Sequence, residues 1–176
     1  LAFAVMAETY RSHAAATQLR QIQVLAAAVG ANGMVGGQCL DCCATGSDSS
    51  LQALEALHRL KTGALISASV LLGAHSAEGA TEQQLADFQL YADCMGLAFQ
   101  IQDDILDVTA DTASLGKPQG SDQHNDKTTY VSLLGLEQAQ SKASELTGQA
   151  ISALARFGSE ADLLRELATF ITSRAR

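Results

Sequence analysis

Apolar residues recur at helical spacing along almost the whole chain, and a single proline, at position 118, interrupts it. Leu19, Ile22, Leu25, Ala26 and Val29 make one stripe, broken only by Gln23. Leu51, Leu54, Leu57, Leu60, Leu65 and Leu72 follow the same period. Such a set reaches one face of the backbone only when the backbone turns every 3.6 residues. No segment alternates with the two-residue period of a strand. Alanine and leucine are abundant and aromatic residues make up only 5%, a composition that suits helices better than a β-sandwich. The expected fold is all-α, a helical bundle built as one unit over the 176 residues, which is long enough to bury a core.

The pattern sets out the elements. Residues 44–50 form a loop, with Ser49 or Ser50 as N-cap of a long helix over 51–73. Lys61, Thr62 and Gly63 sit at the centre of that helix, although a glycine alone costs about 1 kcal/mol there. Residues 76–81 make a turn capped by Thr81, with Glu82 in the first turn of a second long helix over 82–108. Residues 116–127 are irregular. Helix resumes at Tyr130 and runs to about 155, and a last amphipathic helix covers 161–174. Gly30, Gly33, Gly36 and Gly37 lack both the G-x-G-x-x-G spacing and a preceding strand. They predict close helix packing rather than a phosphate loop.

With 11 basic and 19 acidic residues, the formal charge is −8, which argues against a nucleic-acid partner. No apolar run is long enough to span a bilayer, and the opening segment lacks the basic region of a signal peptide. Cys39, Cys42 and Cys43 have no second ligand pair at a zinc-like distance. With Cys94 they read as free thiols in a reducing cytoplasm.

The chemistry concentrates in Phe99-Gln-Ile-Gln-Asp103-Asp104-Ile-Leu-Asp107. At helical spacing Gln100, Asp103 and Asp107 lie within roughly 60° on one face, with Asp104 to the side. Unpaired carboxylates in a mostly apolar helix require cations. An i, i+4 pair of aspartates suits Mg²⁺, which takes one or two carboxylates and completes its shell with water and phosphate oxygens. In isolation the motif equally describes a solvated acidic face, and each lysine alone a solvated charge. Yet Lys61, Lys117 and Lys127 are three of only four lysines, and each stands where the pattern is irregular. Together they would surround a diphosphate with positive charge, as departure of that group requires.

These residues occur in the order and spacing of a known family. Lys61-Thr-Gly-Ala-Leu-Ile, the run from Gly96 to Asp107, Thr112 to Leu115, Gly116-Lys117, Gly120-Ser-Asp122 and Lys127-Thr-Thr-Tyr130 resemble the trans-isoprenyl diphosphate synthases, especially bacterial farnesyl diphosphate synthases. So does the upstream run from Gly33 to Asp41. The resemblance implies an isoprenoid-synthase-type bundle and a Mg²⁺-dependent prenyltransferase. Its reaction would condense isopentenyl diphosphate with an allylic diphosphate, dimethylallyl or geranyl, to a short-chain product, farnesyl diphosphate. It places Mg²⁺ on Asp103, with Asp104 and Asp107 in support, and the allylic diphosphate on Lys61 and Lys127, closed over by Lys117. Thr62 and Gln100 would face the developing cation, Phe99 the isopentenyl unit, and Gln38 and Asp41 the inner wall of the cavity. A cytoplasmic homodimer is also implied.

The family carries a first aspartate-rich motif on an earlier helix and an upstream Gly-Lys-Arg-type site, neither of which occurs here. The chain therefore corresponds to the C-terminal part of one such domain, and alone it is expected not to catalyse condensation. Two other readings stay open. One is a non-catalytic helical partner or regulatory subunit-like fragment. The other, a class I terpene cyclase, fits the Asp103-Asp104-x-x-Asp107 and Lys61-Thr62 pattern poorly.

Overall fold

The computed structural model describes residues 1–8, 14–44, 50–77, 79–109 and 127–174. All regular structure among them is helical: α1 (Ala2–Ala7), α2 (Ala15–Val29), α3 (Met34–Ala44), α4 (Leu51–His58), a π turn (Arg59–Gly63), α5 (Ala64–Ser76), α6 (Glu82–Thr109), α7 (Tyr130–Leu134), α8 (Leu136–Ala153), a 3₁₀ turn (Ser159–Ala161) and α9 (Asp162–Ser173). The all-α expectation holds. None of the described helices is long and apolar enough to cross a membrane.

Local chemistry sets the element ends. Ser50 is the residue that caps α4, its hydroxyl accepting from the Ala53 N–H at 3.2 Å. Thr81 accepts from the Gln84 N–H while the Gln84 side chain accepts from the Thr81 N–H at 2.9 Å. This reciprocal pair satisfies donors that a helix start leaves open. Two boundaries depart from expectation. The helix over 51–73 passes through a π turn and continues to Ser76. The helix expected from Tyr130 to about 155 is two helices, α7 and α8, divided by Gly135 at φ +81°, a left-handed conformation suited to glycine. Arg165 on α9 then donates to the carbonyls of Leu154, Phe157 and Gly158, closing the end of α8.

Helix α6 is the axis of the molecule, with α8 and α5 packed along it and α9 bridging α8 and α6. Its buried face includes Tyr91, Ala92, Met95, Ala98, Ile101 and Ile105. It meets Ala139, Ala143, Leu146 and Ala150, which follow one another up a single stripe of α8. Alanines at these positions are almost wholly buried and let the two axes come close. Tyr91 is buried with its hydroxyl donating to the Leu164 carbonyl at 2.8 Å, which ties α9 to the axis. This end of the bundle is a dry, regular core. The other end, where α3, the π turn, the C-terminal half of α6 and the segment before α7 meet, is built differently.

Candidate active site

Three backbones converge where residues 51–76 depart from α-helical geometry. A π turn admits one extra residue into a helix, and such bulges are frequently found at functional positions. Here it spans Arg59, Leu60, Lys61, Thr62 and Gly63. A Cβ added to Gly37 of α3 would fall onto the backbone nitrogen of Lys61. One added to Gly96 of α6 would stand 3.0 Å from the Gly63 Cα. The close packing expected of the glycine-rich stretch is thus realised at Gly37, where α3 lies against the widened turn.

Asp41 lies one turn beyond Gly37 on the same face of α3. It accepts a hydrogen bond from the Lys61 ammonium at 2.7 Å, and the same oxygen stands 3.6 Å from the Lys127 ammonium. Partial burial alone would raise the Asp41 pKa. The Lys61 hydrogen bond and the two positive charges outweigh it and hold the carboxyl below its usual value. Both lysine side chains keep about a third of their surface exposed, 32% for Lys61 and 37% for Lys127. Their charges therefore remain open to an arriving anion.

These groups line a cavity of about 160 Å³ together with Leu54, Leu57, His58, Gln100, Asp103, Asp104, Thr128 and Thr129. The three aspartates of the acidic motif stand in three different environments. Asp103 is exposed, with one Arg174 guanidinium nitrogen 3.7 Å from its carboxylate. Asp104 is buried and accepts the Tyr130 backbone N–H at 2.7 Å. Asp107 is only 1% exposed and is not part of the cavity wall. Helical spacing puts Asp103 and Asp107 on one face, but the elements packed along α6 cover that face unevenly.

His58 is a site residue that the sequence pattern shows only as part of an apolar stripe. Its ring stacks on Tyr130, with centroids 5.8 Å apart and planes inclined by 19°. Both ring nitrogens are enclosed without a hydrogen-bond partner among the described residues, as is the Tyr130 hydroxyl. Burial, reinforced by the Lys61 charge, drives the His58 pKa to about 4 against the opposing effects of the adjoining Gln100 amide, Asp41 and Asp103. The imidazole is neutral near pH 7.

Of the residues singled out from sequence, the fold brings Asp41, Lys61, Gln100, Asp103, Asp104 and Lys127 to this one cavity. Thr62, half-buried on the π turn, Phe99 and Gln38 are not on its wall. Phe99 lies beneath the Arg174 guanidinium, 4.4 Å from the ring centroid, and the Gln38 amide donates to the Cys42 sulfur at 3.4 Å. Lys117 lies outside the described residues. Cys39, Cys42 and Cys43 are exposed, Cys94 is buried, and all four are free thiols.

No cluster of three or more acidic, histidine or cysteine side chains able to enclose a metal occurs among the described residues. The donor set does fit Mg²⁺ in another way. One open carboxylate, Asp103, faces two ammonium groups across a cavity, and Mg²⁺ is commonly held by one or two carboxylates plus substrate phosphate oxygens. The arrangement suits joint capture of the ion and a diphosphate.

Comparison with known proteins agrees with this picture. A family model of polyprenyl synthetase matches residues 1–168. The chain is 49% identical over 160 residues to a farnesyl diphosphate synthase of Escherichia coli, covering 89% of this chain and 54% of that protein. The structure superposes on an FPP/GFPP synthase of Zymomonas mobilis with a TM-score of 0.85 at 38% identity, covering 97% of this chain and 56% of the other. It also superposes on a geranyltransferase of Helicobacter pylori complexed with magnesium and isoprenyl diphosphate. That match has a TM-score of 0.79 at 32% identity and covers 96% and 55% of the two chains. The chain thus spans about half the length of the relatives it matches.

Proposed function

The chain belongs to the polyprenyl synthetase family, and from that membership we propose that it supplies the diphosphate-binding part of a short-chain prenyltransferase site. The reaction is condensation of isopentenyl diphosphate with dimethylallyl or geranyl diphosphate, giving farnesyl diphosphate. The observation that carries this reading is the convergence of Lys61 and Lys127 on one Asp41 oxygen, opposite Asp103.

In the proposed site, Lys61 and Lys127 bind the allylic diphosphate and neutralise the charge that accumulates on it as the carbon–oxygen bond breaks. Asp41 holds the two ammonium groups together until the diphosphate arrives. Lys117 is the third cation of this set. Asp103 is the direct ligand for Mg²⁺, with Asp104 and Asp107 in supporting roles; bound there, the ion supplies Lewis-acid neutralisation of the leaving diphosphate. Gln100 and Thr62 present their polar groups toward the allylic cation, and Phe99, Gln38 and Asp41 shape the surrounding wall. Leu54 and Leu57 give the cavity an apolar side that excludes water, which would otherwise capture the cation. We further propose a cytoplasmic homodimer, consistent with exposed Phe3, Val5, Leu19, Val35 and Leu40 on the first three helices.

Condensation also requires a first aspartate-rich motif, which these 176 residues do not contain. The chain alone is therefore proposed to bind magnesium diphosphate without turning substrates over. Calorimetric titration with geranyl diphosphate tests this reading: binding is expected with Mg²⁺ and not with EDTA. Equal binding in both, or in neither, contradicts it. So does metal-dependent formation of farnesyl diphosphate by the purified chain.

A further inference from the structure

Asp104 stands in the acidic motif, yet its clearest contact is made away from the lysines. One carboxylate oxygen accepts the Tyr130 backbone N–H at 2.7 Å, and both residues are buried. Tyr130 is the first residue of α7, and the N–H groups of a first helical turn have no partner within their own helix. Thr129 and Ser132 satisfy two of the neighbouring donors by capping each other's backbone. The Tyr130 N–H takes its acceptor from another element, α6. A charged acceptor in a buried place makes this one of the stronger kinds of hydrogen bond.

Tyr130 closes a four-residue segment whose first residue is Lys127. The segment is pinned at its far end twice, by the Asp104 bond to the Tyr130 backbone and by the His58 ring stacked on the wholly buried Tyr130 ring. Lys127 then reaches across the cavity to within 3.6 Å of Asp41. A loose lysine would lose much of its value as a diphosphate ligand to conformational entropy. A lysine anchored three residues away has a fixed base from which to act.

We propose that Asp104 is a positioning residue: by accepting the Tyr130 N–H it seats the segment 127–130 and thereby aims Lys127 at the diphosphate. The role depends on an oxygen acceptor at this place more than on ligation of Mg²⁺. It divides the acidic motif by task, with Asp103 turned to the cavity and Asp104 to the backbone that carries the opposing cation. The proposal rests on the diphosphate reading of the site and adds to it the means by which Lys127 is held.

The probe is inorganic pyrophosphate, titrated calorimetrically into the 176-residue chain over a range of Mg²⁺ concentrations. Absence of Mg²⁺-dependent binding by the unmodified chain overturns the diphosphate reading and this proposal with it. Where the unmodified chain binds, the variants decide the proposal alone. Asp104→Ala is expected to weaken affinity about tenfold or more, as loss of a buried charged acceptor does. Asp104→Asn, whose amide oxygen still accepts, is expected to recover most of that loss, with the Mg²⁺ midpoint unchanged. In a Lys127→Ala background, Asp104→Ala should change affinity by less than about threefold, because the two act through one contact.

Asp104→Asn as damaging as Asp104→Ala, together with a raised Mg²⁺ requirement, overturns the proposal in favour of metal ligation. Full additivity with Lys127→Ala overturns it as well. Should Asp104→Ala lose its helical circular dichroism, Asp104→Asn and its Mg²⁺ dependence decide between positioning and ligation.

Discussion

Two long stretches of helix cross in this molecule, and they carry chemistry by different means. Residues 82–109 form one unbroken α-helix that passes from the dry core straight into the acidic motif. Residues 51–76 break their geometry at the π turn that presents Lys61. Carboxylates three and four residues apart already fall near one another on a regular helix, so α6 needs no distortion to offer them. Lys61 is different. Its backbone lies against Gly37 on one side, and two residues on, Gly63 lies against Gly96 on the other. Regular geometry suffices where the spacing of the side chains matches the helical period, and it yields where a third backbone must come within contact distance.

Glycine substitutions test the contrast most sharply. Gly37→Ala sets a methyl group onto the Lys61 backbone, which no rotamer change relieves. A loss of about 3 kcal/mol or more is expected in urea unfolding. Retention of full stability would show that α3 does not need this approach.

The acid limb of the stability curve comes next. His58 closes α4 just before the π turn, and its pKa falls from 6.5 to about 4 in the folded chain. Between these values the unfolded state binds the proton and the folded state does not. The contribution of the neutral imidazole is therefore complete above about pH 6.5 and is lost as pH falls toward 4, by up to about 3 kcal/mol. His58→Phe keeps the stack on Tyr130 and should flatten this interval in urea titrations at pH 7, 6, 5 and 4. An unchanged slope would count against a buried neutral histidine.

Gly96→Ala stands against the Gly63 Cα at 3.0 Å. A loss of about 1–2 kcal/mol is expected by thermal denaturation, smaller than at Gly37 because the added methyl group starts farther away. Gly148 in α8 has nothing within 4 Å of an added Cβ. There Gly148→Ala should stabilise by about 0.5–1 kcal/mol through helix propensity alone. A loss at 148 equal to that at 96 would erase the distinction between crossing points and ordinary helix.

Much of this architecture is legible from local rules. The helical period, the Ser50 and Thr81 caps and the glycine-rich packing of α3 follow from residue types and spacing. Lys61, Thr62 and Gly63 stand out in an apolar helix, and the misfit marks the place of the π turn. The turn itself is not legible, because its cause lies in Gly37 and Gly96, contributed by other helices. The division at Gly135 depends on a backbone conformation that a periodic pattern does not encode. The different fates of Asp103, Asp104 and Asp107 are decided by what packs along α6. Tyr130 and His58, 72 positions apart, meet only in the folded chain.

The central claim is that Lys61 and Lys127, drawn from distant segments, act as one cation pair for a magnesium-bound diphosphate. Lys142 provides an internal control, since it pairs with Glu145 on α8 at 3.3 Å, away from the cavity. The direct measurement is NMR of the lysine side-chain ammonium and adjoining methylene signals during titration with magnesium pyrophosphate. The signals of Lys61 and Lys127 should shift together with one saturation curve while that of Lys142 stays in place. Equal movement of Lys142, or separate curves for Lys61 and Lys127, would contradict the claim.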